Sequence, residues 1–372
     1  MSKERITHSR MQSFKLCRKK HYWEYEVGMR KELDAKALRM GSAGHEGLDV
    51  FKKTGDPTLA VEAVAKWYFL QPDSISSWDW SIESETVQTL VAGYCWHWEQ
   101  SPLSVISSEE SFRFPLRNPH NNRPSQLFER AGKIDGIVLQ DNRCLVLEHK
   151  FIGEDISPGS SYWDRLRLDQ QCTNYLDAAR NLGHDAVGIL YDLIRKPTIK
   201  PTIVPILDEG GLKIILDQDG NRVRRGSAAK KCKFCAGVDL NDHCRCSPGP
   251  WRQSADKQKG FFLKGRQMTP TEWSNRLMKD IGERPDWYYQ RQEVTRLDGD
   301  VDMFLHEVWD VQQAIRTAQK TGSWYRTVNL GSCTYCPFFS LCVDNNPTNT
   351  GTPPHKYPEG FVKLNDVHPE LQ

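Results

Sequence analysis

The sequence has no uninterrupted apolar stretch of the ~18 residues that a membrane-spanning helix needs, so no membrane span is expected. Its opening residues, MSKER, lack the apolar segment of a signal peptide, which predicts a cytoplasmic protein. No GxxxxGK[ST] sequence is present, so a P-loop ATPase would have to be another protein. The formal net charge is only +2, so total charge does not indicate a nucleic-acid partner.

The sequence does contain enough apolar material for a sizeable core, since 38% of its 372 residues are hydrophobic and twelve are Trp. A chain of this length forms one large domain or two smaller ones. It also has eleven Cys, of which seven lie in two close clusters. This spacing favours metal binding over disulfides and indicates a reducing compartment.

A β-hairpin is predicted near the middle of the chain. Two runs rich in Ile, Val and Leu, at residues 132–139 and 144–150, are separated by a polar turn at 140–143. This arrangement is typical of two antiparallel strands. We expect Leu139 to pair with Cys144 across the turn, which sets the register of both strands.

In this register Ile137 faces Val146, and Asp135 faces Glu148. Directly opposed residues have Cβ atoms about 4.5–5.5 Å apart, so the two carboxylates would repel each other. A divalent cation between them removes the repulsion and suits oxygen ligands. Lys150 projects from the same face as Glu148. The alternative is that these charged residues are solvated pairs on the protein surface. However, the residues flanking them in both strands are apolar on both faces, as in a buried strand, where charges are costly unless they are paired or metal-bound.

The elements around the hairpin predict the order αβββαβ. Residues 105–116 alternate as a strand, 163–182 form a helix, and 186–194 form a further strand. Gln171 and Tyr175 are four residues apart in this helix and therefore share a face. A polar helix surface with an aromatic edge is the alternative interpretation of this pair.

A helix predicted at 40–53 carries Gly41, Gly44 and His45. Each glycine weakens a helix by about 1 kcal/mol, so something should approach the backbone closely, either a DNA strand or the neighbouring sheet. By itself, His45 would be interpreted as an ordinary half-buried histidine.

Residues 196–268 are predicted to be an insertion, because Pro and Gly are frequent and helical periodicity is poor. Between positions 222 and 266 there are twelve Arg or Lys and three acidic residues, a local charge of +9. Such charge suits contact with phosphates, although a soluble loop is the alternative. The candidate DNA-binding residues are Arg222, Arg224, Arg225, Lys230, Lys231 and Lys233.

Two sets of cysteines have the spacing of metal ligands. Four lie within fifteen residues of the insertion and indicate a structural zinc site, with free thiols as the alternative: Cys232, Cys235, Cys244 and Cys246. The other set, Cys333, Cys336 and Cys342, needs a fourth ligand, and none is nearby in the C-terminal tail. Cys17, in a helix predicted at residues 9–25, is the candidate.

Asp135, followed by Glu148 and Lys150 in the order Glu-x-Lys, resembles the catalytic core of the PD-(D/E)XK nuclease superfamily. Gln171 and Tyr175 resemble the QxxxY motif of its RecB-like branch, which includes CRISPR-associated and phage recombination exonucleases. The resemblance implies an α/β fold with a restriction-endonuclease-like core and a mixed sheet. It also implies that Gln171 and Tyr175 line the site and position DNA.

The same resemblance implies a Mg²⁺- or Mn²⁺-dependent deoxyribonuclease, more often an exonuclease than an endonuclease. The Gly-x-x-Gly-His context of His45 resembles the RecB-like motif in which this histidine joins the metal site. Asp135, Glu148, the carbonyl of His149 and His45 would hold one or two cations. Lys150 would orient or deprotonate the attacking water.

Cys17 and the three C-terminal cysteines resemble the iron–sulfur staple of RecB-like nucleases. The resemblance implies a 4Fe-4S cluster that ties the two ends of the nuclease domain together. Four thiolates would also suit zinc.

The resulting domain prediction has four parts: an N-terminal helical region with the nuclease core (1–195), the basic insertion (196–268), a C-terminal helical part that completes the cluster site (269–345) and a flexible tail (346–372). DNA, single-stranded or double-stranded with ends, is the expected partner. A single-strand annealing protein or a helicase would assist in recombination, repair or phage DNA processing, in the cytoplasm of a bacterial or phage-infected cell. A structure-specific endonuclease and a non-catalytic DNA-binding module are the alternatives.

Overall fold

The structure is a computed structural model that describes residues 3–209, 211, 213–216, 218–222, 262–344 and 357–371. The chain divides into two compact units. The first consists of Met1–Pro197 and Leu277–Gln372, and the second of Thr198–Arg276.

The helices are α1 (His8–Leu16), α2 (Arg18–His21), α3 (Lys36–Thr54), α4 (Pro57–Trp67), α5 (Ser77–His97), α6 (Ser161–Leu166), α7 (Gln170–Asn181), α8 (Pro270–Glu283), α9 (Pro285–Tyr288), α10 (Asp298–Thr321), α11 (Leu330–Thr334) and α12 (Phe339–Val343), with a π-helix at Tyr22–Glu26 and a 3₁₀ turn at Pro369–Leu371. The strands are β1 (Glu4–Ile6), β2 (Met29–Lys31), β3 (Ser104–Arg117), β4 (Pro124–Gln140), β5 (Arg143–Ile152), β6 (Ala186–Arg195), β7 (Ile203–Pro205), β8 (Ile215–Leu216), β9 (Phe262–Leu263), β10 (Gly265–Gln267), β11 (Tyr289–Val294) and β12 (Phe361–Lys363).

The first unit is built on a six-stranded sheet in the order β1-β4-β5-β6-β11, with β3 also paired to β4. Strand β5 is central, antiparallel to β4 and parallel to β6. Strand β11 pairs antiparallel with β6. The predicted α/β fold with a mixed sheet is therefore confirmed. That β11 joins this sheet was not predicted, because a short strand far along the chain carries no local signal of its partner.

The β4–β5 hairpin has the predicted register, with Leu139 paired to Cys144. Its two turn residues, Asp141 and Asn142, have φ angles of 49° and 61°. Two-residue hairpin turns favour this left-handed conformation, and Asp and Asn adopt it more readily than most residues. The turn chemistry and the apolar alternation therefore specify the same register.

Both faces of the sheet are covered. Helices α6 and α7 pack on one face, in a core that includes Ile134, Ile137, Val146, Ile189, Leu193, Trp163, Leu166, Leu176 and Ala179. On the other face lie Val138, Leu145, Leu147 and Leu190. The single helix predicted at 163–182 is instead α6 and α7, because Asp169 caps the start of α7 by accepting from the Gln171 N–H.

Helix α3 contains three glycines, and the structure gives a packing reason for one of the two that the sequence analysis singled out. A Cβ at Gly44 would overlap the Phe151 ring of β5, so the close approach predicted there is made by the sheet. A Cβ at Gly41 would meet nothing within 4 Å. Gly44 therefore brings α3 against β5, and His45 follows it directly.

The helix predicted at residues 9–25 is interrupted. Cys17 is extended, with φ −162° and ψ 118°, between α1 and α2. Just after this break, the Lys19 N–H donates to the Tyr325 carbonyl at 3.1 Å. The break thus joins the N-terminal helices to a segment close to the C-terminal cysteines.

The C-terminal residues differ from the loose tail predicted from the sequence. Strand β12 pairs antiparallel with β2. The Thr7 hydroxyl donates to Glu370 at 2.6 Å, and His368 is buried. Burial of Phe361 in an aromatic cluster with Trp23 and Phe338 gives this part of the tail a reason to fold back. Within the described ranges, no helix is long and apolar enough to cross a membrane.

Candidate active site

Asp135 lies where β4 and β5 stop pairing. The last pair of the ladder is Gly136 with Leu147, so Asp135 is not paired with Glu148 through the backbone. Instead, the Asp135 carboxylate accepts a hydrogen bond from the His149 N–H at 2.9 Å. The predicted pairing of Asp135 with Glu148 is therefore wrong, and the Asp135 carboxylate lies at the end of the ladder against the backbone of the residue that follows Glu148.

Glu148 is buried, and its two carboxylate oxygens have different surroundings. Oε1 accepts from the Lys150 ammonium at 2.9 Å, whereas Oε2 is enclosed without a hydrogen-bond partner. Burial raises the pKa of Glu148 to about 8, with a further rise from Asp135 and an opposing effect of Lys150. An enclosed carboxylate oxygen without a partner is costly. A divalent cation would supply the missing partner, so this donor set fits one.

Lys150 is held by two elements at once. Its Nζ is 2.9 Å from Glu148 Oε1 and 2.9 Å from Gln171 Oε1, and 3.7 Å from Asp169 Oδ2. Burial alone lowers the pKa of Lys150, but the Glu148 and Asp169 carboxylates raise it above its ordinary value. Lys150 is therefore an ammonium group. It can donate hydrogen bonds, which suits the expected role of orienting a water molecule.

Gln171 and Tyr175 lie at the start of α7, on the face that meets Lys150. The Gln171 side chain accepts from Lys150 through Oε1 and donates to the Tyr175 hydroxyl through Nε2 at 3.1 Å. Tyr175 is buried, and its ring lies edge-on to Phe112. The predicted pair is therefore one connected unit with the Glu-x-Lys strand.

Helix α3 brings His45 to the same place. Its Nδ1 is 3.5 Å from Asp135 Oδ2, and its side chain remains 36% exposed. Two turns further along the helix, the Lys52 ammonium donates to the Asp135 carbonyl. Because the Asp135 carbonyl accepts this hydrogen bond from Lys52, we expect a cation to bind the Asp135 side chain rather than its backbone.

The His149 side chain extends behind the strand. Its Nε2 is 3.7 Å from Asp192 Oδ2, and Asp192 accepts from the Tyr94 hydroxyl at 2.6 Å and from Arg291 Nε at 2.7 Å. Burial, together with nearby Lys52, holds the pKa of His149 well below its ordinary value, so the imidazole is neutral. The side chain is thus part of a buried polar group, and the His149 carbonyl remains the expected ligand.

Two residues near Lys150 were missed from the sequence. Asp169 lies 3.7 Å from Lys150. Its signal in the sequence is that of the N-cap residue of α7, and an N-cap does not by itself indicate a functional site. His8, at the start of α1, has its pKa lowered to about 4, chiefly by burial, with Lys150 adding to the effect and Asp169 opposing it. No local pattern could have linked α1 to this site.

The four cysteines predicted as cluster ligands come together. Cys17, Cys333, Cys336 and Cys342 line one cavity of about 170 Å³. The Thr327 N–H donates to Cys17 Sγ at 3.4 Å. Burial raises the pKa of Cys336 and of Cys342 above the ordinary value. The break at Cys17 and the C-terminal segment therefore face each other across this cavity.

A shared cavity does not by itself identify a metal site at these thiols. Among the described residues, no group of three or more His, Cys, Asp or Glu lies close enough together to hold a single metal ion, which applies to His45, Asp135 and Glu148 as well as to these cysteines. Four thiols are a donor set that both a 4Fe-4S cluster and a zinc ion accept.

The basic insertion is described in small part. Arg222 is 57% exposed and pairs with Asp208 at 2.5 Å. The other predicted DNA-binding residues (Arg224, Arg225, Lys230, Lys231, Lys233) and the predicted zinc ligands (Cys232, Cys235, Cys244, Cys246) lie outside the described residues.

No curated protein matches the chain. The family model of the PD-(D/E)XK nuclease superfamily matches residues 5–343, which is most of the chain and includes every residue of the site described above. The chain belongs to the PD-(D/E)XK nuclease superfamily.

Proposed function

We propose that this protein is a Mg²⁺- or Mn²⁺-dependent deoxyribonuclease of the RecB-like branch. Membership of the superfamily indicates metal-dependent hydrolysis of nucleic acid. The observation that carries the narrower proposal is the position of Lys150, whose ammonium contacts both Glu148 and Gln171 at 2.9 Å. That contact joins the Glu-x-Lys strand to the QxxxY helix.

In this proposal Asp135, Glu148, the His149 carbonyl and His45 hold the cation. A bound divalent cation supplies Lewis-acid chemistry, since it lowers the pKa of coordinated water and stabilises charge on the scissile phosphate. The Lys150 ammonium donates hydrogen bonds to the attacking water or to a phosphate oxygen.

Two further groups contact the DNA strand in the proposal. The Gln171 amide and Tyr175 hydroxyl, which are already hydrogen-bonded to each other at 3.1 Å, position the strand beside Lys150. The basic residues that begin at Arg222 follow the phosphate backbone.

We propose exonuclease action on DNA ends, on the basis of the RecB-like resemblance. Because the chain has no P-loop motif, strand separation would come from a partner helicase, or the product strand would pass to an annealing protein. Such an enzyme suits recombination, repair or phage DNA processing.

We also propose that Cys17, Cys333, Cys336 and Cys342 bind a 4Fe-4S cluster. Support comes from the shared cavity and from the donor set of four thiols. Cys17 precedes the active-site strands and the other three follow them, so a cluster here would join both ends of the nuclease unit. Its role would be structural.

The test is digestion of end-labelled linear DNA beside a covalently closed circle, with Mn²⁺ or with EDTA. Metal-dependent shortening of the linear DNA with an intact circle is the expected result, and the labelled end gives the polarity. Nicking of the circle would assign an endonuclease instead. Absence of cleavage with Mg²⁺ and Mn²⁺, in protein that still binds DNA, would favour a binding module and contradict the proposal.

A further inference from the structure

Asp169 is the second acidic side chain near Lys150, and no motif discussed above includes it. Its Oδ1 accepts from the Gln171 N–H at 2.9 Å, which caps α7. Its Oδ2 accepts from the Tyr191 hydroxyl at 3.2 Å and lies 3.7 Å from Lys150 Nζ. The two oxygens therefore have separate partners, one set at the helix start and the other at the active-site lysine.

A buried arginine fixes the turn that carries Asp169. Arg296, which lies between β11 and α10, donates to the Leu166 carbonyl at 2.7 Å and to the Asp169 carbonyl at 3.1 Å. It also donates to the Thr173 hydroxyl oxygen at 3.0 Å. Three contacts on both sides of the turn leave the Asp169 carboxylate little freedom to move.

The partners of Lys150 are not equivalent once a cation is bound. Glu148 would then share its negative charge with the cation, and the cation would repel the ammonium. Gln171 is neutral and offers a dipole rather than a charge. Asp169 would remain as the anion beside Lys150, because its oxygens are held by Gln171 and Tyr191 and not by the cation.

We propose that Asp169 is a positioning residue that keeps the Lys150 ammonium in place while Glu148 is engaged by the catalytic cation. This inference rests on the nuclease function proposed above. If Asp169 only caps α7, Asp169→Asn should be as active as the wild type, because Asn caps a helix about as well as Asp.

The test compares Asp169→Asn with Asp164→Asn in the full-length protein. Asn retains an oxygen for the Gln171 N–H and removes the charge beside Lys150. Asp164 lies on the neighbouring helix α6 and is exposed. Its replacement by Asn therefore also removes one negative charge, but at a solvent-exposed position. Three experiments are made on each variant: steady-state cleavage of end-labelled DNA with Mn²⁺, which gives kcat and KM; calorimetry, which gives the dissociation constant for Mn²⁺; and labelling by acetic anhydride, which gives the rate of modification of Lys150 in metal-free protein.

For Asp169→Asn we expect kcat to fall between about 10- and 100-fold with KM little changed, since a misplaced catalytic group costs that much. Mn²⁺ affinity should be retained and Lys150 should be labelled faster, while Asp164→Asn should match the wild type in all three. A wild-type kcat and labelling rate in Asp169→Asn would overturn the proposal. Loss of Mn²⁺ binding would also overturn it, because Asp169 would then be a ligand.

Failure of the proposed nuclease function can be distinguished from failure of the role proposed for Asp169. If the wild type cleaves no DNA with either metal, the nuclease proposal fails. The labelling of Lys150 and the Mn²⁺ titration do not need cleavage and still decide the role of Asp169.

Discussion

The Lys150 ammonium donates to Gln171 Oε1 across 2.9 Å, although the two residues lie on different elements, β5 and α7. Gln171 also donates to Tyr175, so one amide connects the charged strand to the aromatic side of the site. Both ends of the amide are occupied, which fixes its orientation. A change at Gln171 should therefore affect chemistry more than folding.

Gln171→Ala should lower kcat by about 10-fold or more, because Lys150 and Tyr175 lose their common partner. The matched control is Gln170→Ala, one position earlier on α7. Gln170 contacts Lys15 instead, at 2.6 Å. Steady-state cleavage of end-labelled DNA measures both variants. Equal activity of the two would contradict the role given to Gln171.

Asp135→Asn should reduce cleavage by about 100-fold or more, since a group that stabilises charge at the reacting centre is lost. Its fold should be retained, because Asn can still accept from the His149 N–H. Asp141→Asn is the control, in the turn of the same hairpin, where Asn suits the left-handed backbone. Cleavage rates and circular dichroism together check the expectation; an active, folded Asp135→Asn protein would exclude the assigned site.

Gly44→Ala should destabilise the protein by about 1–3 kcal/mol, because the new Cβ would overlap the Phe151 ring. Gly41→Ala lies in the same helix and meets nothing within 4 Å. It should instead raise the free energy of unfolding by roughly 0.5–1 kcal/mol through helix propensity. Urea unfolding measures both, and the opposite order of stabilities would show that α3 packs differently.

Cys336→Ser should remove iron and lower the melting temperature by roughly 5 °C or more, because a bound group that stabilises only the folded state is lost. Cys144→Ser, at the start of β5, should keep both iron and stability near the wild type. Metal and sulfide analysis with thermal unfolding distinguishes the outcomes. A zinc-loaded wild type without iron would assign the site to zinc.

Stability should fall on acidification below about pH 6.5, the ordinary pKa of His. Burial, with nearby Arg10 and Lys20, lowers the pKa of His21 to about 2, so the folded protein keeps this residue neutral. Below the unfolded pKa the unfolded chain binds the extra proton, and each such histidine costs up to about 1.4 kcal/mol per pH unit. Urea unfolding over this range should show a smaller slope for His21→Phe; an unchanged slope would mean that His21 is protonated in the fold.

Local chemistry made much of the site predictable. The alternation of apolar residues and the Asp141-Asn142 turn specify the β4–β5 register, which brings Asp135 beside the Glu148–Lys150 strand. The four-residue spacing of Gln171 and Tyr175 places both on one face of a helix. These relationships join residues that are close in the chain, so the local sequence is enough to predict them.

Long-range relationships were decided by the tertiary fold. Asp169 and His8 reach the site from a turn and from α1, and Arg296 fixes that turn from more than a hundred residues away. Their positions depend on packing of α1, α7 and α10 against one sheet. Side-chain burial there also decides charge: it keeps His149 neutral, while two carboxylates keep Lys150 charged. The sequence by itself determined which groups could react, whereas burial and neighbouring charges in the folded chain determined the state in which each is held.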